Sequence, residues 1–314
     1  MRKIFKLLKL LIIITLLMYV YHSYMLRKEA KLLKNKNNLM VNVNNHDMSI
    51  YIGGNSQSKY SLVFMSGSMI ASPILEYKSL YSQFEKDYQV IVIEKAGYGY
   101  SEDSDASRDI DTILEEYRET LKRAGILNDN FILVPHSMSG IEALYWANKY
   151  PNEVKAIIGL DPTVPEFYQK AKSNGVLMDI GKMGAKVGFT RIPFVVNNLS
   201  AIKNGTLTSE EKQTYKRLFY KQILSQAMIN ESKSIKENTQ KLVEIDKTQV
   251  PMLFFISNGK KTGAKESNWQ NYLIDYVKSK ENSNYYVLDC SHHMHNIEYL
   301  TIYEKSRNFI DSLI

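Results

Sequence analysis

Short apolar runs that alternate with helical patterns predict an α/β fold. The expected architecture is a mainly parallel sheet covered by helices on both faces, with a helical insertion and an N-terminal transmembrane helix ahead of it. Three observations carry this reading. The strand-like runs are apolar on consecutive positions, so both of their faces are buried. Each is separated from the next by a segment long enough for a helix. The rhythm breaks once, over residues 165–248, where lysine, methionine and phenylalanine recur at helical spacing without a convincing strand.

In chain order, Leu39–Val43 and residues 48–52 flank the turn-rich N-N-H-D and predict an opening hairpin. Ser61–Met65 (S-L-V-F-M) is a buried strand, followed by S-G-S-M-I-A-S-P and a helix near 75–86. Gln89–Glu94 (Q-V-I-V-I-E) is the next strand, then K-A-G-Y-G-Y-S and a helix near 109–124. Residues 131–134 (F-I-L-V) lead into P-H-S-M-S-G and a helix ending near Tyr150, before Pro151. Val154–Leu160 precedes the helical block, which contains a capping box from Thr208 to Glu211. The alternation resumes with Met252–Ile256, a helix near 267–280, a strand near 284–288 and a last helix near 299–313.

The N-terminal segment has a different character. Residues 10–26 carry no charged side chain, and a helix of that length rises about 25 Å, at the short end of a bilayer span. Lys9 and Arg27 flank it, and Tyr19, Tyr21 and Tyr24 suit the interface. A cleaved signal peptide is the rival, but residues 21–30 offer no small-x-small cleavage site and no lipid-accepting cysteine. The expectation is therefore a signal-anchor: a basic flank over 1–9, a transmembrane anchor over 10–26, a polar tether over 27–38 and the α/β domain over 39–314. Basic residues crowd both flanks, so the positive-inside bias nearly cancels. The expected location is the cell membrane, single-pass, with the domain outside the cytoplasm.

Charge and cysteine content exclude two classes. The net charge of +7 resides in residues 1–36, where nine bases face Glu29 alone, leaving 31 bases against 32 acids in the rest. No nucleic-acid partner is expected of so balanced a body. A single cysteine, Cys290, rules out a disulfide framework or a cysteine-rich zinc module.

The chemistry concentrates in F-I-L-V-P-H-S-M-S-G. A serine directly after a buried strand, with small residues beyond it and a helix following, fits a sharp turn that exposes Oγ of Ser137. Here the chain resembles the α/β-hydrolase family, whose elbow often reads G-H-S-M-G-G; Pro135 and Ser139 stand where that pattern has glycines. The resemblance covers roughly residues 39–314 and implies a serine nucleophile at Ser137. It implies an oxyanion hole from the N–H of Ser68, or of Met69, in Ser66-Gly67-Ser68, paired with the N–H of Met138. E-K-A-G-Y-G-Y-S resembles the family's structural D-R-P-G-Y-G-x-S loop, so no catalytic role is expected of Glu94.

A base is required, and C-S-H-H-M-H follows the last strand, where the family places its histidine. His292 matches the pattern, and His293 substitutes if the loop shifts by one. A metal site from His292, His293, His295 and Cys290 lacks the H-E-x-x-H spacing and a carboxylate pair, so neither a metal nor a cofactor is expected. The triad acid usually follows the seventh strand, but F-I-S-N-G-K-K-T-G has none before Glu266. Asp161, after the sixth strand in L-D-P, is the first candidate and Glu266 the second.

The insertion lies where family members carry a cap. Met178, Met183, Phe189, Phe194 and Phe219 either line an apolar acyl pocket there or form core. The resemblance implies a membrane-anchored serine hydrolase cleaving a carboxylic ester of an acyl or lipid-like small molecule. The alternatives are an iminopeptidase-like peptidase and a catalytically inactive relative serving as a surface binding module.

Overall fold

The computed structural model describes residues 2–33, 38–170, 175–263 and 265–313. Residues 34–37, within the expected tether, and 171–174, within the expected cap, lie outside the described residues.

The chain opens with α1 (Arg2–Ala30). It is long and apolar enough to cross a membrane, and its most apolar window is unburied. The strands follow as β1 (Leu39–Val43), β2 (His46–Gly54), β3 (Ser61–Met65), β4 (Gln89–Glu94), β5 (Phe131–Pro135), β6 (Val154–Leu160), β7 (Met252–Ile256) and β8 (Asn284–Val287). They form one eight-stranded sheet in the order β1-β2-β4-β3-β5-β6-β7-β8. β1–β2 and β2–β4 pair antiparallel, and every later pair is parallel. The hairpin turn is tighter than its composition alone predicts. Asn44 and Asn45, both at positive φ, close it in two residues, the mirror-image turn whose twist matches that of paired strands.

Burial on both faces follows from the period of two along each strand. Val63, Ile91, Leu133, Ile157 and Phe254 point to one face, under α4 (Ile110–Arg123), α5 (Ser139–Lys149) and α12 (Glu266–Lys278). Leu62, Phe64, Val92, Val134, Ile158 and Phe255 point to the other, with α2 (Pro73–Glu76), α3 (Lys78–Phe84) and α13 (Tyr299–Asp311). Parallel strands covered this way must be apolar throughout, which is why the runs read as continuous rather than alternating.

Between β6 and β7 lie α6 (Pro165–Lys170), α7 (Gly175–Lys186), α8 (Pro193–Asn197), α9 (Ser200–Lys203), α10 (Ser209–Gln222) and α11 (Gln226–Ile245). Thr208 and Glu211 form the reciprocal capping box at the start of α10. This cap has a small core of its own, Ala71 with Val196, Ala201, Ile202, Leu207, Tyr215 and Phe219. Of the apolar residues expected to line a pocket or pack inside, Phe219 is buried, whereas Met183, Phe189 and Phe194 are exposed. Buried charge ties α11 to the body. Lys95, just beyond β4, pairs with Glu142 of α5 (2.9 Å) and with Glu231 of α11.

Candidate active site

β5 delivers Ser137 into a turn with φ 55°, a left-handed conformation that costs an L-residue about 1 kcal/mol and recurs where function demands it. Met69 (φ 59°) and Asp161 (φ 49°) share that conformation, so three loops at the C-terminal ends of the strands are strained together.

Backbone contacts hold these loops to one another. Thr163 N–H, after β6, donates to the Ser137 carbonyl at 2.7 Å. Gly140 makes that approach possible, because a Cβ there would stand 2.3 Å from the Thr163 oxygen. On the other side, a Cβ on Gly67 would stand 2.8 Å from Ser137 Cβ, so only glycine lets the loop after β3 lie against the serine. Ser68 follows directly. Its N–H and that of Met138, which precedes the first turn of α5, are engaged by no hydrogen bond among the described residues. The Ser68 hydroxyl meets Ser232 of α11 at 3.1 Å, so the cap touches this loop.

Ser139, where a glycine would be usual, is fully buried. Its hydroxyl accepts from His136 N–H (3.0 Å) and is within donating distance of the Met65 (2.8 Å) and His136 (2.9 Å) carbonyls. The extra oxygen is thus fully used in joining β3 to the turn after β5.

Asp161 has no exposed surface. Its Oδ1 accepts from Ser257 N–H and from Trp269 Nε1, each at 2.8 Å, and its Oδ2 lies 2.6 Å from His292 Nδ1. His292 comes from the loop after β8, fixed by its own N–H on the Lys260 carbonyl at 3.1 Å. Its ring packs edge-on to Trp269 (5.5 Å between centroids) and lies 4.6 Å from the ring of His136, the residue before Ser137. The fold therefore brings together Ser137, Met138, Ser68, His292 and Asp161. Glu266 is exposed at the start of α12, and the carboxylate at His292 is that of Asp161. The loop after β7 supplies a donor, Ser257 N–H, to an acid that comes from β6.

A second cluster lies beside the first. Glu76 is buried, with Oε1 at 3.1 Å from His295 Nε2, 3.2 Å from His293 Nδ1 and 3.0 Å from Asn296 Nδ2, while Tyr215 OH donates to Oε2. Burial pushes the Glu76 carboxyl up, but the contacts with His293 and His295 outweigh it and hold the group well below the usual carboxylate range. These three are the residues whose ligand atoms gather closely enough, among those described, to hold an ion. Both carboxylate oxygens are already engaged by protein donors. His136 is buried, and burial together with the neighbouring His292 and His295 lowers its pKa well below the ordinary value.

Sequence patterns carry no signal for Trp269 or Glu76, since each lies in a helix that reads as core and only the crossing of chain segments brings it to the site. His136 and Ser257 lie in segments that the motifs cover, but their contacts are not encoded in the pattern.

A family model for the alpha/beta hydrolase fold matches residues 68–261. The uncharacterised protein YbdG of Bacillus subtilis strain 168 is 42% identical over 240 residues, covering 75% of this chain and 73% of YbdG. YqjL of the same organism is 24% identical over 255 residues, covering 79% of this chain and 83% of YqjL. Among solved structures, a Pseudomonas aeruginosa protein described as an epoxide hydrolase superposes with a TM-score of 0.66 at 14% identity, over 90% of this chain and 97% of its own. The haloalkane dehalogenase DbeA from Bradyrhizobium elkanii gives 0.65 at 14% identity, over 88% and 98%.

Proposed function

The chain belongs to the α/β-hydrolase family, and from that premise we propose that it is a serine hydrolase cleaving a carboxylic ester or related acyl substrate through an acyl-enzyme on Ser137. The observation that carries this reading is the His292–Asp161 pair at 2.6 Å beside a serine held in a strained turn. His292, its Nδ1–H held by Asp161, takes the Ser137 proton on Nε2 as Oγ attacks the carbonyl carbon. The N–H groups of Ser68 and Met138 receive the developing oxyanion, with Met69 N–H the neighbouring donor. Collapse expels the alkoxide, which His292 protonates. Water, deprotonated by His292, then attacks the acyl-serine, releasing the carboxylic acid and returning the proton to Ser137.

The nucleophile's identity also separates this reading from the activities named for the structural neighbours. Serine attack on a haloalkane or epoxide carbon forms an ether, which the same base and water do not cleave, so turnover on Ser137 needs an acyl carbonyl. We place the enzyme at the cell membrane on α1, as a single-pass anchor with the catalytic domain outside the cytoplasm, where acyl chains of lipid-like substrates are at hand.

The test is covalent labelling of the full chain by a fluorophosphonate probe, with Ser137→Ala and Asp161→Asn alongside. Labelling should vanish in Ser137→Ala and slow by about two orders of magnitude or more in Asp161→Asn, with the fold intact. A folded wild type that takes no label would sink the hydrolase reading in favour of a binding role, and an unimpaired Asp161→Asn would remove that residue from the triad.

A further inference from the structure

The last turns of α1 are fastened to the cap. Arg191, in the short turn Phe189–Arg191 after α7, donates to both carboxylate oxygens of Glu29 (2.9 and 2.6 Å) and from Nε to His22 Nδ1 (2.8 Å). Its guanidinium lies 4.2 Å from the ring centroid of Tyr220 in α10. Gly188, at φ 93°, completes the fit: a Cβ there would stand 2.9 Å from His22 Cβ. His22 and Glu29, two turns apart, share the buried face of α1.

This docking competes with the lipid for the same stretch of helix. The charge-free residues 10–26 rise about 25 Å, already short of the ~30 Å hydrocarbon core. Yet the cap reaches the helix from Met18 and Tyr21, which line a crevice with Gly188, Arg191 and Ile192. Residues 10–17, clear of the cap, rise only about 12 Å. A helix so placed crosses the bilayer only if its docked turns also sit in the interfacial zone, and the cap segment bound to them sits there too. That segment exposes several large apolar side chains, with Asp179 and Lys186 the exposed charges of α7. Phe194 is 80% exposed, Met183 69% and Ile180 59%, with Phe189, Ile192 and Val195 also exposed. Such a patch on a water-facing surface calls for an occupant.

We infer that the outer face of α7 and α8 is a membrane-contacting surface, seated in the headgroup-to-acyl boundary of the leaflet at the C-terminal end of α1. The inference rests on the anchor reading of α1 and is independent of the chemistry at Ser137. The argument is continuity, since Ile192 shares a crevice with Met18 and Tyr21 at the edge of the span. An apolar face in this setting inserts about 5–10 Å, enough to immerse Phe194 but not the sheet.

The test uses the full chain in phosphatidylcholine–phosphatidylglycerol vesicles, with an environment-sensitive fluorophore on Phe194→Cys, Ile13→Cys or Asp129→Cys. Asp129 is exposed in the loop before β5, at the opposite end of the strands from Ser137. Cys290 is buried, and unsubstituted protein taken through the same labelling serves as the blank. Shallow doxyl lipids should quench about half or more of the fluorescence at position 194, deep doxyl lipids should quench position 13, and neither should quench position 129. Quenching at 13 without quenching at 194 would overturn the inference and leave the anchor standing. No quenching at 13 would overturn the anchor and the inference together, while the fluorophosphonate result at Ser137 would be unaffected.

Discussion

Ser139 shows how one side chain can depart from a pattern and still serve its geometry. A glycine at this position needs no partner, whereas a serine must satisfy a buried hydroxyl, and Ser139 does so against His136 N–H and the Met65 and His136 carbonyls. Ser139→Ala is expected to cost about 1–2 kcal/mol in denaturant unfolding, because it strips a buried hydrogen-bonded hydroxyl without easing any contact. An unchanged midpoint would mean that the hydroxyl joins nothing of consequence. The same comparison explains what was legible at this scale. Ser137 and Asp161 are recognisable because each is a reactive side chain just after a buried apolar strand, and His292 because it sits in a histidine-rich loop after the last strand. Trp269 is not, because its donor role depends on α12 crossing over Asp161, and a tryptophan in a helix reads as packing. The acid was ambiguous for a related reason. Nothing in F-I-S-N-G tells that Ser257 lends its backbone N–H to a carboxylate from another strand.

Among the elements, the loop after β4 is the clearest case of a structural part with a titrating consequence. Glu94 ends β4 with no solvent exposure, and its carboxylate accepts from Ser72 Oγ (2.7 Å), at the start of α2, and from Tyr100 N–H (2.8 Å). Burial outweighs these hydrogen bonds and raises its pKa from 4.5 to about 7. Between those values the native state holds a proton that the unfolded chain has released. Stability therefore falls as pH rises through this window and levels off above it. Glu94→Gln should flatten urea-measured stability between pH 5 and pH 8 by on the order of 1–2 kcal/mol. The remaining slope belongs in part to Glu231, raised to about 7 chiefly by burial. If the two proteins show the same slope, Glu94 is ionised throughout. At this scale the strands and their flanking helices were readable from periodicity, since burial on both faces leaves an unbroken apolar run. The cap was readable only as helical. Phe194 and Phe219 look alike in sequence, yet one is exposed and the other buried, because the cap's small core leaves its outer face unpartnered.

For the whole molecule, the uneven charge and the docking of α1 belong together. The basic excess is confined to the N-terminal segment, and Glu29, its one acid, is the residue that meets Arg191 of the cap. Arg191→Ala should release the docked turns. Hydrogen exchange over residues 19–30 is expected to rise about tenfold or more, with the amides of β5 to β7 unchanged, as suits a local opening rather than global unfolding. Equal protection in both proteins would show that the packing of α10 and Gly188 against the helix suffices to hold it.

The fastening point also sets which half of the molecule is tied to the helix. A cap is ordinarily pictured as a cover swinging over a stationary body, but here the helix read as the anchor is bonded to the cover. Seen from the bilayer, the cap is then the floor, and any movement between the two would be a rocking of the sheet that carries Ser137, His292 and Asp161. Because Ser68 reaches Ser232 across that seam, such a motion would also shift the loop that carries one of the two N–H groups proposed for the oxyanion hole.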